Sequence, residues 1–132
     1  MSGNANDLRT PLKRARGLGS AKDGTGHFIV QRITAVAVLL CGVYLLGLLL
    51  PMTGLDYPRA RALVADPLNA TVLVAFLVAG FWHAKLGMQV VIEDYVHTPL
   101  LAGIAHLANI FVCALAAIAS VLAVLRIALQ GA

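Results

Sequence analysis

The chain has 132 residues, of which 60% are hydrophobic and only 12% charged, about half the charge a soluble domain carries. That composition points to one domain and excludes a protein soluble on its own. The formal net charge of +4 is clustered rather than spread. Arg9, Lys13, Arg14, Arg16 and Lys22 precede the first apolar run, against only Asp7 and Asp23. No aromatic or folded platform accompanies them, so they read as a cytoplasmic flank obeying the positive-inside rule and not as a nucleic-acid surface.

Residues 1–27 form this basic, glycine-rich arm. It has neither the short apolar stretch nor the small-residue cleavage site of a signal peptide, so the first apolar run is expected to be an uncleaved anchor. Three apolar runs follow, over about residues 28–50, 68–92 and 100–126. Pro51 closes the first, Glu93-Asp94 closes the second, and Pro99 opens the third, which carries Arg126 near its end. At 1.5 Å per residue, each run is long enough to cross a hydrocarbon core about 30 Å thick. The runs are too long, and too rich in Ala and Leu, for strands. The expected fold is therefore an all-α membrane protein with three transmembrane helices in residues 28–132.

With the basic arm in the cytoplasm, the loop from about Pro51 to Pro67 faces outward. Its Arg59 and Arg61 are offset by Asp56 and Asp66, and it shows no motif. The turn from Glu93 to Pro99 then returns to the cytoplasmic side, and the C-terminus ends outside. Cys41 and Cys113 sit inside apolar runs without metal-ligand spacing and read as small packing residues. Three helices rich in Ala and Gly suit close packing and leave polar faces in need of partners, as in one chain of a larger assembly.

The chemistry concentrates between His83 and Tyr95. A histidine inside lipid is costly unless a metal, a cofactor or a hydrogen-bond partner engages it. Helical spacing aligns His83 with Gly80, Gly87 and, about 20° off after three turns, Asp94. Flanking glycines remove bulk where a flat macrocycle would lie, and neutral imidazole is a good axial ligand for haem iron. The alternative is a histidine hydrogen-bonded to a neighbouring helix, with the glycines serving helix contact.

A second ligand could come from His106, which lies within roughly one helical turn of His83 in depth. His106 also belongs to a stripe with Asn109, Cys113, Ala117 and Ser120 that reads as a packing surface. Asp94 and Tyr95 end the second run. A phenol there stays protonated and can donate to a carbonyl oxygen, with the carboxylate orienting it or relaying a proton. The same pair also suits helix termination and interfacial anchoring. Arg32, one turn into the first span, either snorkels to head groups or pairs with a buried anion such as a haem propionate. Lys85 points about 200° away from His83, toward lipid phosphate or a partner chain. His97 is expected in solvent at the turn, and His27 at the edge of the first helix.

Three segments carry a resemblance: Gly24-Thr-Gly-His-Phe-Ile-Val-Gln-Arg32-Ile-Thr-Ala; His83-Ala-Lys-Leu-Gly87-Met-Gln; and Asp94-Tyr95-Val96 with a proline shortly after. With them the chain resembles, over most of its length, the hydrophobic membrane-anchor subunit of bacterial succinate dehydrogenase (complex II). The family's histidine is followed after eleven and twelve residues by Asp and Tyr, as His83 is followed here by Asp94 and Tyr95.

The resemblance implies that the chain is half of a heterodimeric membrane-anchor helix bundle in the bacterial inner membrane. His83 would be one axial ligand of a single haem b, and so a ligand to its iron. The other histidine would come from the companion membrane chain, a cytochrome b556-type subunit, which demotes His106. Tyr95 would hydrogen-bond a ubiquinone carbonyl with Asp94 beside it, and Arg32 would lie close to the haem propionates and the quinone pocket. Lys85 departs from an aromatic residue found near that position in some relatives. FAD and iron–sulfur clusters would sit only in the flavoprotein and iron–sulfur subunits, so this chain would be a non-catalytic part of an oxidoreductase of the tricarboxylic acid cycle and electron transport. The rivals are an anchor of a quinol:fumarate reductase and a haem-free structural assembly protein.

Overall fold

The computed structural model of the chain describes residues 24–130, and the basic cluster from Arg9 to Lys22 lies outside them. It contains four helices: α1 (Gly24–Met52), α2 (Tyr57–Ala65), α3 (Pro67–Tyr95) and α4 (Pro99–Gln130). No strand occurs among the described residues. The three long helices have 29, 29 and 32 residues and are apolar enough to cross a membrane. At 1.5 Å per residue they reach about 44 to 48 Å, which exceeds the hydrocarbon thickness and carries each helix into the interfacial layers. The chain is a multi-pass membrane protein.

The three long helices alternate in direction. Thr34 and Tyr44 on α1 meet His83 and Asn69 on α3, respectively, so advancing along one helix means retreating along the other. Asn109 of α4 reaches back to Lys85 of α3 across the short connection that holds His97. Helix α3 is the middle element, packed against α1 and α4. The start of α1, the end of α3 and the start of α4 therefore share one end of the bundle, and α2 lies at the other.

The segment between the first two spans is not a featureless loop. It holds the nine-residue helix α2, packed across α3 and α4. The Asp56 side chain caps its start by accepting from the Arg59 backbone N–H, and a proline follows within the first two helical positions. The same arrangement recurs at Asp66, whose carboxylate accepts from the backbone N–H groups of Leu68 and Asn69 as Pro67 opens α3. The backbone N–H of Asp66 bonds to the Ala62 carbonyl and closes α2. An aspartate that supplies an acceptor to orphan N–H groups, followed by a proline with no N–H to satisfy, is a strong helix start. These two carboxylates punctuate helices in addition to offsetting nearby arginines. Asp56 does both, with a 3.7 Å ion pair to Arg59.

The interior is thin. The buried apolar residues are Leu45, Ala70, Leu86, Ile92 and Val124, and Asn69 is the one buried polar residue among those described. Large apolar side chains such as Ile33, Leu40, Val43, Phe111, Leu115 and Leu122 lie exposed along α1 and α4. In a bilayer such faces meet acyl chains or other helices without penalty. The stripe of His106, Asn109, Cys113, Ala117 and Ser120 is half-buried throughout, so it is the packing face of α4. Both cysteines are free and half-buried, and the Cys113 thiol donates to the Asn109 side-chain oxygen.

Candidate functional site

His83 sits midway along α3, half-buried against α1. Its Nδ1 lies 3.1 Å from the Thr34 hydroxyl. The imidazole is therefore tied to a neighbouring helix through one nitrogen, while its Nε2 has no hydrogen bond among the described residues. A ligating histidine needs one nitrogen fixed and the other open. The two readings of His83 are thus compatible, because the hydrogen bond to α1 leaves Nε2 available.

Gly80 and Gly87 decide how the flanks of His83 are used. A Cβ built at either position meets no described atom within 4 Å. These glycines therefore do not bring α1 or α4 into close contact. They leave open space on either side of the imidazole along α3. Gly42 on α1 differs, since a Cβ there would touch the Phe76 ring at 3.5 Å.

Tyr95 is the last residue of α3, and Asp94 precedes it. The helix stops because the Val96 backbone turns extended, while its N–H still bonds to the Ile92 carbonyl. Both side chains are exposed, Tyr95 by 78%. Along the helix axis Tyr95 lies about 18 Å from His83. One turn back, Gln89 donates to the Glu93 carboxylate at 2.9 Å, which engages that acid and not Asp94.

Arg32 is exposed on α1, with its guanidinium 5.0 Å over the Phe28 ring, a cation–π arrangement. It is two residues from Thr34 and so about 200° around α1 from it. The contact that joins Thr34 to His83 therefore does not bring Arg32 onto the histidine. His106 is on α4 and shares no hydrogen bond with His83 among the described residues. It lies one turn before Asn109, whose side chain bonds to the Lys85 carbonyl, while His83 is engaged by α1. His97 is exposed in the turn, and His27 is half-buried with its Nε2 lacking a partner among the described residues. No group of three or more His, Cys, Asp or Glu side chains that could hold a metal ion occurs among the described residues.

Thus the structure brings His83 and Thr34 together, and it leaves Arg32, Asp94 and Tyr95 on surfaces that this chain alone does not enclose. Sequence reading misses Thr34, although it lies within the quoted Arg32-Ile-Thr-Ala segment. Its signal is a hydroxyl in an apolar run, two residues beyond Arg32.

The family model for the succinate dehydrogenase/fumarate reductase transmembrane subunit matches residues 6–123. The chain belongs to that family. Among its relatives, the succinate dehydrogenase hydrophobic membrane anchor subunit of Rickettsia bellii is 39% identical over 90 residues, covering 68% of this chain and 72% of the relative. The protein of the same name from Rickettsia conorii is 35% identical over 91 residues, covering 68% and 72%. That of Paracoccus denitrificans is 31% identical over 86 residues, covering 65% and 67%. No solved structure gives a significant match. Membership of the succinate dehydrogenase/fumarate reductase transmembrane family agrees with the resemblance carried by the Arg32, His83 and Asp94-Tyr95 segments, and with the three-span architecture.

Proposed function

We propose that this chain is the hydrophobic membrane anchor of a succinate:ubiquinone oxidoreductase, holding the flavoprotein and iron–sulfur subunits at a bacterial inner membrane. The observation that carries this reading is the anchor name shared by relatives that match about two thirds of the chain. The family also includes membrane subunits of fumarate reductases, but the relatives' names favour the succinate-oxidising direction. The basic arm would place the N-terminus in the cytoplasm, which puts Tyr95 at the cytoplasmic edge and the C-terminus in the periplasm.

His83 would hold the iron of a haem b, and a histidine of a companion membrane chain of the cytochrome b556 type would supply the second ligand. The open Nε2 and the empty flanks at Gly80 and Gly87 fit a flat ring against α3. When bound, the haem exchanges single electrons between ferric and ferrous iron. The role of this chain is to fix the imidazole on α1 and keep side chains off the ring's footprint. Arg32 is a candidate for a haem propionate or the quinone pocket from its own face of α1, and a partner chain would have to bring either group to it.

Ubiquinone is proposed to bind at the end of α3. Reduction to quinol takes two electrons and two protons. The electrons would come from oxidation of succinate to fumarate in the partner subunits, whose flavin and iron–sulfur clusters would supply that redox chemistry. Tyr95 would donate a hydrogen bond to a quinone carbonyl oxygen, and Asp94 would orient the phenol or pass a proton. The exposure of both side chains supports a site that closes only against a partner.

The test is a reduced-minus-oxidised spectrum of the purified complex from wild type and His83→Ala. The expected result is loss of the b-type signal in the variant while the four subunits still co-purify. An unchanged signal removes His83 as ligand. Failure of a flavoprotein, an iron–sulfur protein and a second small membrane protein to co-purify with the wild-type chain would remove the anchor reading itself.

A further inference from the structure

Thr34 does more than touch His83. Its hydroxyl lies 2.9 Å from the Val30 carbonyl and 3.0 Å from the Gln31 carbonyl, as well as 3.1 Å from His83 Nδ1. A threonine hydroxyl has one proton and two acceptor lone pairs. Backbone carbonyls only accept, and both lie slightly nearer the hydroxyl than the imidazole does, so the preceding turn of α1 offers that proton two acceptors. What remains for His83 is a lone pair, and a lone pair can only accept. With the hydroxyl proton given to that turn, His83 carries its own proton on Nδ1, and in the neutral ring the unprotonated nitrogen is Nε2.

We propose that Thr34 is the positioning residue for the haem ligand. It sets the His83 tautomer, fixes the ring against α1 and polarises the Nδ1–H bond. The proposal rests on the reading of His83 as an axial ligand. An Nδ1–H asks α1 for an acceptor, and a hydroxyl serves as one when its own proton is used elsewhere. Threonine meets that condition through the carbonyls one turn back, a habit of hydroxyl residues in helices. Valine has nearly the same shape and offers no acceptor. Serine keeps the hydroxyl and loses only the methyl group.

The electronic consequence has a sign. An acceptor on Nδ1–H increases the basicity of the ligating nitrogen. A more basic ligand favours ferric over ferrous iron and lowers the haem potential, and hydrogen bonding to the axial ligand is one of the protein's levers on that potential. Removing the acceptor should therefore raise the potential. It should also loosen the ring, since loss of such an outer partner typically weakens metal-site affinity by about 10- to 100-fold.

The experiment is a potentiometric titration of the haem in the intact complex, with the ferric haem's paramagnetic resonance spectrum recorded on the same samples. Thr34→Val is expected to shift the midpoint upward and alter the ferric spectrum, and Thr34→Ser to restore both to wild-type values. Thr34→Ala is read in the same way and supplies the measurement if the valine variant does not assemble. A wild-type potential and spectrum in Thr34→Val or Thr34→Ala would overturn the role of Thr34. His83→Ala separates this from the underlying assignment. If b-type haem survives that substitution, the ligand reading fails. If haem is lost there while the Thr34 variants remain native in potential, only the Thr34 proposal fails.

Discussion

The Tyr44 hydroxyl donates a 2.6 Å hydrogen bond to the side-chain oxygen of Asn69 and joins α1 to α3 at the α2 end of the bundle. Asn69 is 7% exposed, and its amide nitrogen donates in turn to the Leu63 carbonyl in α2 at 2.8 Å. One buried side chain thus ties three helices together. Tyr44→Phe should cost about 0.6–1 kcal/mol, the usual range for a single hydrogen bond between membrane helices. Asn69→Ala should cost more, about 1–3 kcal/mol, because it strands the Leu63 carbonyl as well. Thermal denaturation of the purified complex measures both. In the Asn69→Ala background Tyr44→Phe should have almost no further effect, the signature of direct coupling.

Asp66 serves two helices with different atoms. Its backbone N–H closes α2 and its carboxylate starts α3. Asp66→Ala should therefore destabilise the junction by about 1 kcal/mol through the lost cap alone, and Asp66→Asn should recover most of that. Thermal midpoints of the two variants check this. Equal losses in Ala and Asn variants would mean that the charge matters and the capping acceptor does not.

The three long helices are legible in the sequence because nothing in an apolar run of this length competes with a membrane span. Helix α2 escapes that reading although its signals are present. Asp56 two residues before Pro58, and Asp66 directly before Pro67, are capping pairs that pass equally well for charges balancing Arg59 and Arg61. A nine-residue segment between two spans has no hydropathy peak, so only its caps give it away. The candidate site is legible in part for a similar reason. His83, Asp94 and Tyr95 are conspicuous because polar groups are rare in this chain. Thr34 is not conspicuous, since a hydroxyl in an apolar helix ordinarily satisfies itself on its own backbone. Its contact with His83 emerges only once α1 and α3 are placed in register.

Gly87 offers a separate test of the open face beside His83. No described atom lies within 4 Å of a Cβ built there, so the first carbon of a larger residue has open space. Gly87→Leu should leave the helices intact, and leucine is the better helix former by about 0.6–1 kcal/mol. A flat ring against α3 would collide with the new side chain. The expected outcome is an assembled complex with much less b-type haem per flavin. Full haem occupancy would place the ring elsewhere.

Tyr95 tests the quinone end on its own. Tyr95 is 78% exposed in this chain, and the described residues give its hydroxyl no hydrogen-bond partner. Tyr95→Phe therefore removes one oxygen without breaking a contact that holds the described fold. If that oxygen donates to a quinone carbonyl, its loss costs about 1 kcal/mol, or roughly 5-fold in kcat/KM for quinone. Succinate oxidation by an artificial dye draws electrons upstream of the membrane and should stay near wild type. Asp94→Asn should lower quinone reduction as well, because the amide can still orient the phenol but cannot take up a proton. Parallel loss of both activities in Tyr95→Phe would point to failed docking of the extrinsic subunits at this end of the bundle. Undiminished quinone reduction would return Tyr95 to the role of an interfacial anchor.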